Sequence, residues 1–167
     1  MVTEVEVGAR GWRGIDELAG LVGAYCWVEN RIFELSGAWA SDQEGGLEPA
    51  LRVWCAGVSR RHGVLAARWA ERLPVRAGVD RAALVAAPAG PLAGALGAMA
   101  ATPDARVGAG TLVQTALPRL RALYTLHRRT VSPVSEGSVQ EVLTAAVQDL
   151  SDEISSGRAL LQGVPGA

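Results

Sequence analysis

Apolar residues recur three and four positions apart along most of the chain, which is the spacing of amphipathic helices. Glycine and proline residues divide this pattern into segments, and Pro49 and Pro74 suit the first turn and the end of one of them. No stretch alternates apolar and polar residues as a strand does, so the pattern predicts an all-α protein. The predicted long helices cover residues 14–40, 49–73, 106–131 and 136–163.

The connections between the predicted helices are of two kinds. Residues 41–48 and 132–135 are short loops, which make neighbouring helices antiparallel. Residues 75–104 form a long crossover, with short helices predicted over 81–86 and 91–101. The sequence therefore predicts a four-helix bundle of two antiparallel hairpins joined by a long crossover.

A single helical-bundle domain over residues 1–167 is expected, with 1–12 and 164–167 flexible at its ends. The chain is 49% hydrophobic, which is enough for one continuous core. It carries 16 basic and 17 acidic residues, a balance that gives no electrostatic reason to bind nucleic acid or an anionic membrane surface. Every basic residue is Arg, which is typical of bacteria with GC-rich genomes.

Several features favour a cytoplasmic protein. Cys26 and Cys55 are too far apart along the predicted hairpin for a disulfide, and buried free thiols fit a reducing compartment. The N-terminal residues lack the basic segment and apolar core of a signal peptide. Residues 82–101 are uncharged, but they are mostly Ala and Gly and contain Pro88 and Pro91, so no membrane span is expected.

Two ionisable residues lie on faces that are expected to be buried. At about 100° per residue, Glu29 falls at the centre of the apolar face of the first helix, and His62 falls at the centre of the face of the second. Both lie at about the same height in the antiparallel hairpin, so their side chains are expected to meet. The face around Glu29 consists of Ile15, Leu18, Val22, Tyr25, Ile32, Phe33 and Ser36.

A buried carboxylate is costly unless it is neutral, paired or bound to a cation, so Glu29 needs a partner. Three interpretations stay open for Glu29 and His62. In the first, they form a structural core pair that fixes the helix register. In the second, they act as catalytic residues or metal ligands. In the third, the predicted helical phase is wrong and one of them reaches solvent.

A glutamate at mid-height on the first helix, a histidine at mid-height on the second and a long crossover before the third resemble the ferritin-like superfamily. Its di-iron members supply one Glu from each of two helices and a Glu-x-x-His motif from each of the other two. Glu29 matches the first-helix glutamate and His62 the histidine of the second-helix motif. Ser59 and Ser156 stand where that motif's glutamate and the other motif's histidine would be, and residues 117–121 contain no acid. The resemblance implies a degenerate member without the di-iron centre.

Glu153, on the fourth predicted helix, lies near the height of the Glu29–His62 pair. Two carboxylates and one histidine can hold a single Fe, Mn or Zn ion, so Glu29, His62 and Glu153 are the candidate metal ligands, and the expected cofactor is one such ion or none. Glu29 and His62 are also the candidate catalytic residues. The candidate ligand-binding residues near them are Tyr25, Arg61, Leu65 and Tyr124.

The third predicted helix contains three further residues of interest. Pro118 is expected to bend the helix because it removes one backbone hydrogen bond. Tyr124 and His127 share its buried stripe, but they are expected to lie well below the level of His62, where His127 should have a hydrogen-bonding partner near the helix end.

The outer face of the first helix predicts a homodimer. Trp27 points about 160° away from Glu29 and shares this face with Gly20, Ala24 and Arg31. Small residues beside a Trp and an Arg suit a close contact between two copies. The alternative is that the crossover covers Trp27 within one chain.

Three functions are therefore considered. The first is a binding or assembly module with a vestigial metal site. The second is an enzyme with a site centred on Glu29 and His62 that acts on a small, mostly apolar substrate. The third is a partner protein that docks through the Trp-bearing outer face of the first helix.

Overall fold

The structure, a computed structural model, describes residues 13–42, 46–75, 77–132 and 136–163. Within these ranges the chain is helical and contains no strand, which confirms the all-α prediction for this part of the protein. None of the helices in it combines the length and apolar character that crossing a membrane requires. The flexibility predicted for residues 1–12 and 164–167 concerns residues outside the described ranges.

Five helices and one turn of 3₁₀-helix follow one another in the part of the chain that the structure describes. The fourth helix consists of three consecutive segments that continue without a break. The predicted bounds differ from the observed ones by one or two residues in the long helices. The helices are α1 (Ile15–Ser41), α2 (Pro49–Arg72), α3 (Pro91–Ala100), α4 (Ala105–Thr111, Leu112–Ala116 and Leu117–Thr130) and α5 (Gly137–Leu161), and the 3₁₀ turn is Ala82–Leu84.

The helix starts follow from local chemistry. Pro49 and Pro91 stand in the first turns of α2 and α3, where their missing N–H groups cost no hydrogen bond. Asp104 caps α4, because its carboxylate accepts the backbone N–H groups of Arg106 and Val107 at 2.8 and 3.1 Å.

Pro118 interrupts the hydrogen-bond ladder of α4, as predicted. It cannot donate to the carbonyl of Gln114, four residues earlier. The residues just before it form a π-turn, Leu112–Ala116, in which the N–H of Leu117 donates to the carbonyl of Leu112, five residues back. The interruption therefore takes the form of one widened turn.

The long helices pack in antiparallel pairs. α1 lies antiparallel to α2, α2 to α5, and α4 to α1, while the short connection between α4 and α5 makes a second hairpin. The contacts that fix these directions are Phe33–Ser59 and Cys26–Ala66 between α1 and α2, Trp54–Ser156 and Arg61–Glu153 between α2 and α5, and Tyr25–His127 and Glu29–Tyr124 between α1 and α4.

The core is continuous, and all five helices contribute fully buried apolar side chains to it. The crossover packs on the outside of α1 at Gly23, where a Cβ atom would overlap the carbonyl oxygen of Leu84. One representative core residue from each helix is Ile32, Val58, Leu96, Leu120 and Leu143.

Two residues assigned to the buried face of α1 are exposed, so that part of the prediction is wrong. The exposed fraction is 57% for Ile15 and 43% for Phe33. Ile15 is the first residue of α1. The Phe33 ring lies over Gly63 of α2, at the edge of the hairpin, because the glycine leaves room for it there.

Candidate functional site

Glu29 and His62 meet in the core, as the sequence predicts. The imidazole Nδ1 donates a hydrogen bond to Oε2 of Glu29. Glu29 is fully buried and His62 is 2% exposed, so both side chains belong to the core. The interpretation in which the helical phase is wrong is excluded by this contact.

Glu153 of α5 joins the pair on the other side of the imidazole. His62 Nε2 donates to Glu153 Oε2 at 3.1 Å, and the second oxygen of Glu153 accepts from Nε of Arg61. Glu153 is 3% exposed, although its sequence position placed it about 80° from the centre of the buried face of its helix. The buried face of α5 is wide enough to include it, because Ala146, Leu150 and Ile154 are buried on the same side of the helix.

Tyr124 completes the hydrogen bonding of Glu29, which corrects the prediction that it lies well below this level. Its hydroxyl donates to Oε1 of Glu29 and accepts from Nε1 of Trp69 at 3.1 Å. The prediction failed because it compared the heights of Cα atoms along the helices and left out the direction of the side chains. Helical side chains tilt toward the N-terminus of their helix, and this tilt carries the long Tyr124 side chain about one turn toward Glu29.

Trp69 also belongs to this hydrogen-bond network, although the sequence analysis did not name it as a site residue. It is fully buried and lies seven residues after His62, so it shares the buried face of α2. Its spacing of two helical turns from His62 is the sequence feature that could have predicted its place beside the site. The resulting network runs from Trp69 through Tyr124, Glu29, His62 and Glu153 to Arg61.

The charges in this network balance. Burial lowers the pKa of His62, but the carboxylates of Glu29 and Glu153 at its two ring nitrogens outweigh it and raise the pKa to about 10. Burial raises the pKa of Glu153, and His62 and Arg61 reverse this and bring it below its usual range. Two carboxylates thus face one imidazolium and one guanidinium.

The Tyr124 hydroxyl remains protonated and donates a hydrogen bond to Glu29. Burial, and then the charge of Glu29, raises the pKa of the Tyr124 phenol well above its usual value. The hydroxyl therefore keeps its proton at any pH near neutrality and uses it in the bond to Glu29.

The three predicted metal ligands do not converge on one point. Because Nδ1 of His62 faces Glu29 and Nε2 faces Glu153, the imidazole ring separates the two carboxylates. The remaining oxygens accept from Tyr124 and Arg61. In the described part of the chain, no group of three or more His, Cys, Asp or Glu side chains is arranged to hold a metal ion. Hydrogen-bond donors of the protein occupy the positions that a cation would take.

Ser59 and Ser156, which the sequence resemblance aligned with di-iron ligand positions, link helices to one another. Ser59 donates from Oγ to the carbonyl of Phe33 at 2.9 Å and so links α2 to α1. Ser156 accepts a hydrogen bond from Nε1 of Trp54 at 3.2 Å and so links α5 to α2. Neither position adds an acid or an imidazole to the network.

His127 belongs to a second buried network, and the prediction that it is partnered is confirmed. Its Nδ1 lies 3.1 Å from the Tyr25 hydroxyl and its Nε2 lies 2.9 Å from Oε2 of Glu136. Burial lowers the pKa of His127, which favours the neutral ring. Since a carboxylate only accepts, Nε2 carries the proton and Nδ1 accepts from Tyr25. Arg13 approaches Glu136 at 3.4 Å from the surface.

Two cavities lie near these networks. The smaller, about 200 Å³, lies between α2 and α5 and reaches His62 and Glu153. The larger, about 510 Å³, lies between α1, α4 and the crossover. Arg61 and Leu65 line the smaller cavity and Tyr25 lines the larger, whereas Tyr124 lines neither and lies in the core.

The face of α1 that was predicted to form a dimer is partly covered within the chain. Gly20 is exposed, whereas Ala24, Trp27 and Arg31 are half-buried. Trp27 packs against the core, and Ala24 lines the larger cavity. Arg31 donates to Glu34, one turn further along the same helix, at 2.9 Å.

Comparison of the chain with known protein families, with curated proteins and with solved structures finds no match. The function has to be argued from the geometry of this chain itself.

Proposed function

We propose that the protein is a small binding module with the ferritin-like four-helix bundle architecture, in which Glu29, His62 and Glu153 form a vestigial, metal-free polar core. The antiparallel pairing of the long helices and the crossover between α2 and α4 support the architecture. The observation that carries the proposal is the position of His62, whose two ring nitrogens each bond a carboxylate.

A complete hydrogen-bond network of this kind fixes the register of the helices. Four elements contribute, since Glu29 comes from α1, His62 from α2, Tyr124 from α4 and Glu153 from α5. Every buried polar side-chain atom of the network has a partner, and the charges cancel. Removing one charged partner would leave the other buried and unpaired, which costs about 3–5 kcal/mol.

Metal analysis of the protein purified without chelators tests the proposal. We expect Fe, Mn and Zn far below one equivalent in the wild type. We also expect Glu29→Gln and His62→Gln to lower the free energy of unfolding by about 3–5 kcal/mol, because each leaves a buried group unpaired. Tyr124→Phe, which removes one hydrogen bond and no charge, should cost about 1–3 kcal/mol.

Glu34→Gln is the matched control, because this glutamate is exposed and forms a surface ion pair with Arg31 on the same helix. It should change stability by less than about 0.5 kcal/mol. Stoichiometric metal in the wild type that both Glu29→Gln and His62→Gln lose would overturn the proposal.

Acid–base catalysis is the second candidate function. The cavity of about 200 Å³ beside His62 and Glu153 favours it, because a small molecule there could reach both groups. An efficient general base has a pKa near the working pH, whereas the pKa of His62 is about 10. The two candidates therefore differ in one measurable quantity, and a His62 that titrates near pH 7 would favour catalysis.

A further inference from the structure

The larger cavity has the shape and chemistry of a ligand site that is separate from the His62 network. Its volume of about 510 Å³ lies within the range of small-molecule sites, about 300–1,000 Å³. α1 and α4 form two of its walls, and residues 88–92, at the end of the crossover and the start of α3, form the third. Leu123 and Leu126, which line it, are exposed although they are large and apolar.

The lining is apolar with one charge. Of the thirteen residues that surround the cavity, only Tyr25 and Arg119 carry a polar side chain. The Tyr25 hydroxyl is bonded to His127. Arg119 is therefore the side chain left to bind a polar group of a ligand.

Arg119 has no acidic partner among the described residues. Within the described ranges, its one hydrogen bond is a long one, from a terminal nitrogen to the carbonyl of Pro91 at 3.4 Å. A guanidinium with free N–H groups at the edge of an apolar cavity favours a carboxylate, which it binds with two parallel hydrogen bonds.

The first turn of α3 adds to this preference. Pro91 and Leu92 line the cavity beside Arg119, and no side chain caps this helix end. The positive end of the α3 dipole therefore lies on the same side of the cavity as the guanidinium.

We propose that this cavity binds a single-chain carboxylic acid, with its hydrocarbon chain between α1 and α4 and its carboxylate on Arg119. The apolar walls exclude strongly polar ligands, and Arg119 disfavours cationic ones. This inference rests on the proposed function only in treating the chain as a binding module. The cavity requires no metal and no titration of His62, so the two proposals can fail separately.

Calorimetric titration with sodium dodecanoate, below its micelle-forming concentration, tests the proposal. We expect saturable binding of one dodecanoate per chain. Arg119→Gln should weaken it about tenfold, which corresponds to about 1.4 kcal/mol, because it removes the charged hydrogen bonds to the carboxylate. Ala122→Trp, which puts an indole at the wall of the cavity, should abolish binding without changing the helical circular dichroism, since this side chain is exposed.

Arg121→Gln is the matched control. Arg121 lies two residues from Arg119, outside the cavity, and contacts Ser151 of α5 at 3.5 Å. It should leave dodecanoate binding unchanged. Dodecyltrimethylammonium, which has the same chain and the opposite charge, should not bind.

Three outcomes would overturn the proposal. The first is the absence of saturable dodecanoate binding. The second is equal binding of the anionic and cationic amphiphiles with no effect of Arg119→Gln. The third is a wild-type protein that forms a dimer and does not bind dodecanoate, together with an Ala122→Trp variant that is monomeric, which would assign the cavity to a second copy of the chain.

Discussion

His62 lies between two carboxylates, and the number of protons on its two ring nitrogens determines what the site can do. An ionised carboxylate only accepts hydrogen bonds, so a ring that bonds Glu29 and Glu153 at once needs a proton on each nitrogen. His127 has the opposite arrangement, with one carboxylate and one hydroxyl as partners. The only two histidines of the chain therefore differ in charge at neutral pH.

This difference predicts opposite titration behaviour. His62 should remain an imidazolium at pH 8, because the two carboxylates raise its pKa to about 10. His127 should lose its proton at a lower pH than an ordinary imidazole, because burial lowers its pKa. Nitrogen-15 NMR of the imidazole rings measures both, with His127→Gln to assign the signals. Two rings that titrate together near pH 6.5 would contradict this prediction.

The same shifts determine how stability depends on pH. The pKa of His62 is raised on folding, so its contribution to the free energy of unfolding is complete below about pH 6.5 and is lost as the pH rises through about 10. Glu153 acts oppositely, since its lowered pKa gives a contribution that is lost in acid. Urea unfolding should show a loss of stability between pH 8 and 10 that is smaller in His62→Gln.

At the scale of the helices, glycines determine how closely the elements approach. A Cβ atom at Gly108 would collide with the Trp39 ring, and one at Gly157 would collide with Trp54 and Val113. Gly23 is the most restricted of them, because the backbone of the crossover lies directly on it. Each of these positions links two elements that are distant in the sequence.

Gly23→Ala should therefore displace the crossover from α1. We expect a loss of about 1–3 kcal/mol in the free energy of unfolding, since the new methyl group meets rigid backbone. Gly20→Ala is the matched control on the same helix, where a Cβ atom meets nothing within 4 Å. It should stabilise the protein by about 0.5–1 kcal/mol through helix propensity. Thermal unfolding of both variants measures the difference, and equal effects would contradict the packing.

At the scale of the whole molecule, apolar surface is left uncovered beside α1, where Leu123 and Leu126 of α4 are exposed. The larger cavity opens there, and Ala24 belongs both to it and to the face that the sequence predicts as a dimer contact. The half-buried Trp27 reduces the area available to a second copy. A ligand in the cavity and a second copy on this face would therefore compete for neighbouring residues.

The predicted homodimer is tested by light scattering after size-exclusion chromatography. We expect a dimer at tens of micromolar that Gly20→Arg converts to a monomer, because this exposed position lies on the outer face of α1. Ala56→Arg places the same charge on an exposed position of α2 and should leave the dimer intact. A wild type that is monomeric under these conditions would contradict the dimer.

The sequence by itself determined the helices and the burial of Glu29 and His62. Apolar spacing and proline positions act through local backbone geometry, so they predict where a helix lies and which face it buries. The meeting of Glu29 with His62 followed as well, because a short loop fixes the register of the hairpin.

Only the tertiary structure decided which other residues join them. Glu153 depends on how much of the surface of α5 is buried by its neighbours, and Tyr124 depends on the reach of a long side chain. Residue spacing alone specifies neither. The placement of the crossover on Gly23, and with it the cavity beside Arg119, results from packing between segments that are far apart in the chain. Local periodicity specifies each helix, whereas the contacts between helices depend on the shapes of all of them together.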